Sequence, residues 1–155
     1  MDALPEDFAV LRFPPHWDRS VWTYATRAMS QPEDATPVEL HLFTPSKADA
    51  VVEILYALAH FHRTAAPLDL EHSVNFGQPW LGQSECSYGL ISLPYLDGPA
   101  LAQFRRGDAL IHFYWLVPIA PAERAYKVEH GLEALETRFE EAQFDYADPD
   151  RPSVV

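Results

Sequence analysis

The chain is poor in the residue types that several kinds of chemistry need. Of its 155 residues only Cys86 is a cysteine, which excludes an intramolecular disulfide and a cysteine-only zinc site and fits a reducing compartment. Glycine is scarce at six residues, and neither GxxxxGK[ST] nor GxGxxG occurs, so no motif supports a phosphate cradle. Basic residues number 11 against 23 acidic ones, a formal net charge of −12. Such a field repels nucleic acid and anionic lipid and attracts basic partners, besides keeping the chain soluble. No apolar run reaches the roughly 18 residues that span a bilayer, and the opening MDALPEDF carries acids where a signal peptide has positive charge. The expected location is therefore the cytoplasm, with no nucleic-acid or membrane partner.

What is present is a globular composition, 48% hydrophobic and 13% aromatic, with Trp17, Trp22, Trp80 and Trp115. The length suits one domain that buries roughly 70% of its unfolded surface. The 14 prolines are scattered between elements rather than gathered into a linker. Pro5, Pro14 and Pro15 make residues 1–20 an irregular lead-in, followed by a single domain over 21–155.

The expected elements follow from periodicity. Val21–Met29, Val38–Phe43, Leu68–Phe76 and Tyr88–Leu93 have strand composition. Ala109–Ile119 reads as a central strand, with Ile111, Phe113, Trp115 and Val117 on one face and Tyr114 and Leu116 on the other. Ser46–His62 is the strongest helix, with Ser46 as cap, Asp49 at the capping-box position and an apolar stripe of Val51, Val52, Leu55, Leu58 and Ala59. Pro121 suits a helix start, and Gly131 marks a break or kink. Beyond it Leu132, Leu135 and Phe139 line one face while Glu133, Glu136 and Glu140 line another, available to a basic partner.

The search for a reaction centre finds little. His60 and His62 lie about 200° apart on a helix, and no HExxH spacing exists. A metal-dependent hydrolase would have to be assembled from Glu39, His41, His72 and His112, with Glu39 and His41 on one face of a strand. GQSEC, Gly82–Cys86, lacks the second glycine of a nucleophile elbow, and Glu85 disfavours a Cys86 thiolate. Glu123, Arg124, Lys127 and Glu129 read as the solvated side of a helix, with Glu123 and Lys127 at i and i+4, and His130 as a residue that meets the last carbonyls. No catalytic residue, metal ligand or cofactor is assigned.

Several stretches in order, WTYATRAMS (Trp22–Ser30), VELHLF (Val38–Phe43), EILYALAHF (Glu53–Phe61), LISLPY (Leu90–Tyr95), IHFYWLVPIAPAERAYKVEHGLEAL (Ile111–Leu135) and DPDRPSV (Asp148–Val154), resemble the suppressor-of-fused domain. The resemblance implies an α/β (α+β) single domain whose mixed, mainly antiparallel sheet of about five or six strands is covered by helices. It also implies protein binding rather than catalysis. In animal members a related module, joined to a second domain, sequesters a transcription factor by taking up an extended segment beside a strand. Short stand-alone members, mostly bacterial, look like immunity proteins that neutralise toxins. The family's partner-contacting acidic residue falls on Glu71 of LEHSV, beside His72, and an aromatic contact falls on Phe61. The expected partner surface thus comprises Phe61, Glu71, His72, Glu133, Glu136 and Glu140. The sequence leaves the partner's identity and the oligomeric state open.

Overall fold

The computed structural model describes residues 4–98 and 100–155. Among these residues seven strands and three helices follow one another as β1 (Ala9–Phe13), β2 (Trp22–Arg27), β3 (Val38–Thr44), α1 (Ala50–Thr64), β4 (Ser73–Asn75), β5 (Tyr88–Ser92), β6 (Gln103–Arg106), β7 (Ala109–Ile119), α2 (Pro121–His130) and α3 (Leu132–Ala142). They build one sheet in the order β1-β2-β3-β7-β5-β4, with β6 pairing the start of β7. Only the β3–β7 pair is parallel among the strand pairs described. The mixed, mainly antiparallel α+β architecture expected from the resemblance is therefore present, with two more strands than the sequence pattern revealed.

Those two are β1 and β6. β1 lies inside the stretch read as irregular, of which residues 1–3 fall outside the described residues. It pairs antiparallel with β2 from Ala9↔Arg27 to Phe13↔Thr23. Pro14 and Pro15 follow its last residue, ending the strand rather than preventing it. The strand expected over Leu68–Phe76 shrinks to Ser73–Asn75 because residues 69–72 form a turn, with His72 N–H donating to the Asp69 carbonyl at 3.2 Å and Glu71 at φ 75°.

β7 keeps the expected bounds and carries the two cores. On one face Tyr114 and Leu116 join Leu40 and Leu42 of β3 and Val51, Leu55, Leu58 and Ala59 of α1. On the other, Trp115, Val117 and Ile119 join Phe43, Leu90 and, from α3, Leu135 and Phe139. A strand apolar on both faces must be covered on both.

The helix ends correct two sequence expectations, the cap of α1 and the role of His130, and bear out a third, the break at Gly131. Asp49, not Ser46, stands at the N-cap of α1, and its carboxylate accepts from Arg12 at 2.7 Å and from Tyr24 Oη at 3.2 Å instead of capping the helix. Gly131 separates α2 from α3 at φ 94°, a backbone state that favours glycine. His130 packs on the Tyr126 ring, 4.4 Å between centroids, rather than meeting the helix carbonyls. Among the described residues no helix is long and apolar enough to cross a membrane.

Candidate functional site

The α3 side of the sheet is incompletely filled. Between α3, β5, β7 and the residues that follow α3 lies a cavity of about 460 Å³, within the size range of ligand pockets. Leu90 and Ser92 enter it from β5, Trp115 and Val117 from β7, Glu136, Phe139 and Glu140 from α3. After α3, Gln143 adopts φ 49° and turns the chain, so that Phe144 stacks on Phe139 at 4.3 Å and Tyr146 meets Trp115 edge-on at 5.4 Å. Tyr95 and Leu96, both exposed, complete the rim from the segment after β5.

One atom of this site is out of keeping with its surroundings. Oε2 of Glu136 is buried and accepts no hydrogen bond. Burial raises the Glu136 pKa above the ordinary carboxylate range; hydrogen bonding from the Tyr95 hydroxyl to this carboxylate opposes the rise, and the charges of Glu140, Glu71 and Glu133 add to it. The Tyr95 hydroxyl, partly buried near that carboxylate, is pushed up to about 12. Glu71 also faces Lys127, whose pKa burial lowers against the pull of that acid. The fold thus brings Glu71, Glu133, Glu136 and Glu140 into one electrostatic neighbourhood.

The other two expected contact residues lie apart from it in different ways. Phe61 is exposed on α1, lining a groove of about 380 Å³ with Val74 and Phe76 on the opposite side of the sheet. His72 is occupied in the turn before β4: its Nδ1 accepts from the Asp69 N–H at 3.1 Å, and its carbonyl accepts from the Ile91 N–H at 2.9 Å. β4 stands at the end of the sheet order and, among the described residues, pairs with β5 alone. Phe61, Glu71 and His72 therefore flank a sheet edge, whereas the α3 glutamates flank the cavity behind it.

The residues considered for a hydrolase do not converge. Glu39 is a structural carboxylate: Oε1 accepts from Thr26 Oγ1 at 2.7 Å and the Met29 N–H at 3.2 Å, and Oε2 accepts from the Ser30 N–H at 3.0 Å and Ser30 Oγ at 2.5 Å. These bonds close the turn between β2 and β3. His112 stacks on Tyr114 at 5.6 Å. His41 is buried, and burial lowers its pKa to about 4. Its Nε2 lies 4.0 Å from Asp97, which is itself held by Arg19 at 2.5 Å. Among the described residues no group of three or more His, Cys, Asp or Glu could hold a metal ion. Cys86 is buried, and burial pushes its thiol pKa up, away from the thiolate.

Sequence reasoning misplaced Glu123. Instead of belonging to a wet helix face, it is fully buried and forms a two-pronged ion pair with Arg151, at 2.8 and 2.9 Å. It also accepts from the backbone N–H groups of Ala120 (2.7 Å) and Val154 (3.0 Å). Nη1 and Nη2 of Arg151 also donate to the carbonyls of Pro152 and Pro118. Burial works against the Arg151 charge, but Glu123 more than offsets it and holds the guanidinium above its ordinary pKa. The aromatic wall of the cavity was also missed, although the close spacing of Phe139, Phe144 and Tyr146 was a visible signal.

Comparison with known proteins agrees with this architecture. The profile of the family described as Suppressor of fused protein (SUFU) matches residues 5–152. A crystal structure from Neisseria gonorrhoeae FA 1090, described as a SUFU (suppressor of fused protein) homologue, shares 34% identity with a TM-score of 0.86, over 99% of this chain and 81% of that one. Drosophila Suppressor of Fused shares the fold at 12% identity and a TM-score of 0.70, over 95% of this chain and 42% of that one. The Sufu–Fu complex structure does so at 11% and 0.66, over 86% and 68%. No curated protein matches the sequence. With the family profile matched over residues 5–152 and a 34% identical relative covering 99% of its length, the chain belongs to the suppressor of fused protein family.

Proposed function

We propose that the domain is a non-catalytic, cytoplasmic protein-binding module, and that it acts as an immunity protein by sequestering a toxin. The observation that carries the binding reading is the sheet end itself. Among the described residues β4 pairs with β5 alone, Phe61 of α1 shares a groove with Val74 and Asn75 of β4, and Glu71 and His72 form the turn that leads into that strand. An extended segment pairing there gains backbone hydrogen bonds, while flanking side chains select its sequence. The charge of −12 speeds encounter with a basic partner and gives preference to one. The cavity's polar groups are the Glu136 and Glu140 carboxylates, the Ser92, Tyr95 and Tyr146 hydroxyls and the Gln143 amide, set on an apolar wall. That a structure of similar fold is a Sufu–Fu complex supports protein binding as the mode of action.

The test is co-expression with toxins encoded beside the gene, followed by hydrogen exchange on the purified complex. Rescue of growth, with protection of the Ser73–Asn75 amides, is the expected result. Absence of rescue by any neighbouring toxin overturns the immunity role. A complex in which β4 exchanges as fast as in the free protein overturns pairing at that edge.

A further inference from the structure

The cavity between α3 and the sheet has two chemically unlike parts. Its wall is hydrocarbon and aromatic, formed chiefly by Trp115, Val117, Phe139 and Tyr146, while its α3 side carries Glu136 and Glu140 one helical turn apart. A buried acceptor left without a donor is costly, and more so when charged. Oε2 of Glu136 is in that position; the Tyr95 hydroxyl interacts with the same carboxylate, but every charge acting on it belongs to an acid, Glu140, Glu71 or Glu133. A neutral apolar guest fills the wall and leaves the oxygen unpaired. An anionic guest meets the Glu136 and Glu140 carboxylates, with the charges of Glu71 and Glu133 close by. A guest that joins an apolar body to a cation satisfies both parts.

We propose that this cavity receives an aromatic or long aliphatic side chain of a protein partner, with an adjacent lysine or arginine of the same segment donating to Oε2 of Glu136. The proposal rests on the protein-binding reading above and supplies the chemistry of the anchor. A volume of about 460 Å³ admits one large side chain with room for its neighbour's cation. Exposed Tyr95 and Leu96 extend the apolar surface outside the mouth, where the partner's flanking residues would lie. Desolvation gives a buried cation–carboxylate contact its selectivity, because the wrong charge leaves both groups unpaired.

The experiment uses two capped tripeptides, acetyl-Lys-Trp-Lys-amide and acetyl-Glu-Trp-Glu-amide, added to the full chain and followed by amide and indole NMR signals. The lysine peptide is expected to shift the Trp115 indole and the α3 amides around Glu136, in the millimolar range, about ten-fold more tightly than the glutamate peptide. Glu136→Gln should reduce that preference to about three-fold or less, whereas Glu129→Gln on α2 should leave it intact. Equal binding of the two peptides, binding by neither, or a lysine preference that survives Glu136→Gln overturns the anchor. Its failure is separable from that of the wider reading. A captured protein that protects β4 while leaving Trp115 undisturbed removes the anchor alone, and peptide binding by a chain that captures no protein removes the wider reading alone.

Discussion

Glu123 of α2 and Glu136 of α3 stand on consecutive helices on the same side of the sheet, and their carboxylates are treated in opposite ways. The first is fully buried, with both oxygens shared between Arg151 and two backbone N–H groups. The second is partly buried with one oxygen unpaired. A carboxylate saturated by its own chain has nothing left to offer a partner; one left short of donors does. The difference separates a residue that fastens the C-terminal segment from one available for recognition.

The largest effect is expected from breaking the saturated pair. Glu123→Ala leaves Arg151 buried without its anion, and Arg151→Ala leaves the mirror-image defect, each costing about 3–5 kcal/mol in urea unfolding. The double variant should cost clearly less than the sum, because the second change removes a charge already stranded by the first. Additive losses would mean that the pair is not the unit described.

A second buried polar group gives a pH test. His41 is held neutral chiefly by burial, with the attraction of Asp97 and the repulsion of Arg19 acting in opposite directions. Its folded pKa of about 4 lies below the ordinary 6.5, so the unfolded chain binds the extra proton between those values. Stability is therefore full above pH 6.5 and falls as pH drops toward 4, by up to roughly 3 kcal/mol. His41→Phe should flatten that limb of the stability–pH curve, measured as urea midpoints from pH 7 to 4.

Packing differs between the two faces as well. Gly89 points where the α1 face has no room: an added Cβ would lie 2.5 Å from the Phe76 ring and 2.6 Å from Leu116 Cδ1. Its neighbour Leu90 lines the open cavity. Gly89→Ala is expected to cost about 1–3 kcal/mol through overpacking, read as a lowered melting temperature.

Local patterning revealed β7 and the break at Gly131 because alternation and a single glycine are written within a few residues. β6 was hidden because all four residues of QFRR are exposed, leaving no apolar alternation to read. Glu123 was misread because its spacing to Lys127 is that of a surface pair, while its real partner lies 28 residues away. The acidic face of α3 was legible as a helix stripe. The cavity behind it was not, since it is enclosed by β5, β7 and the turn after α3 together.

The smallest stability effect is expected at the other end of the comparison. Glu136→Gln keeps the shape of the side chain, removes one charge from a crowded acidic neighbourhood and leaves an amide oxygen to accept from the Tyr95 hydroxyl. Its effect on unfolding at pH 7 should stay within about 0.5 kcal/mol. Because the Glu136 pKa is raised in the folded state, chiefly by burial, the native chain holds its proton to higher pH than the unfolded chain. Its contribution is full below the ordinary carboxylate pKa and declines as pH rises through the folded value. The glutamine variant should lack that decline, so its advantage over the parent grows with pH across the acid range. A loss of stability as large as that of Glu123→Ala would make Glu136 another fastening residue and dissolve the contrast between the two carboxylates.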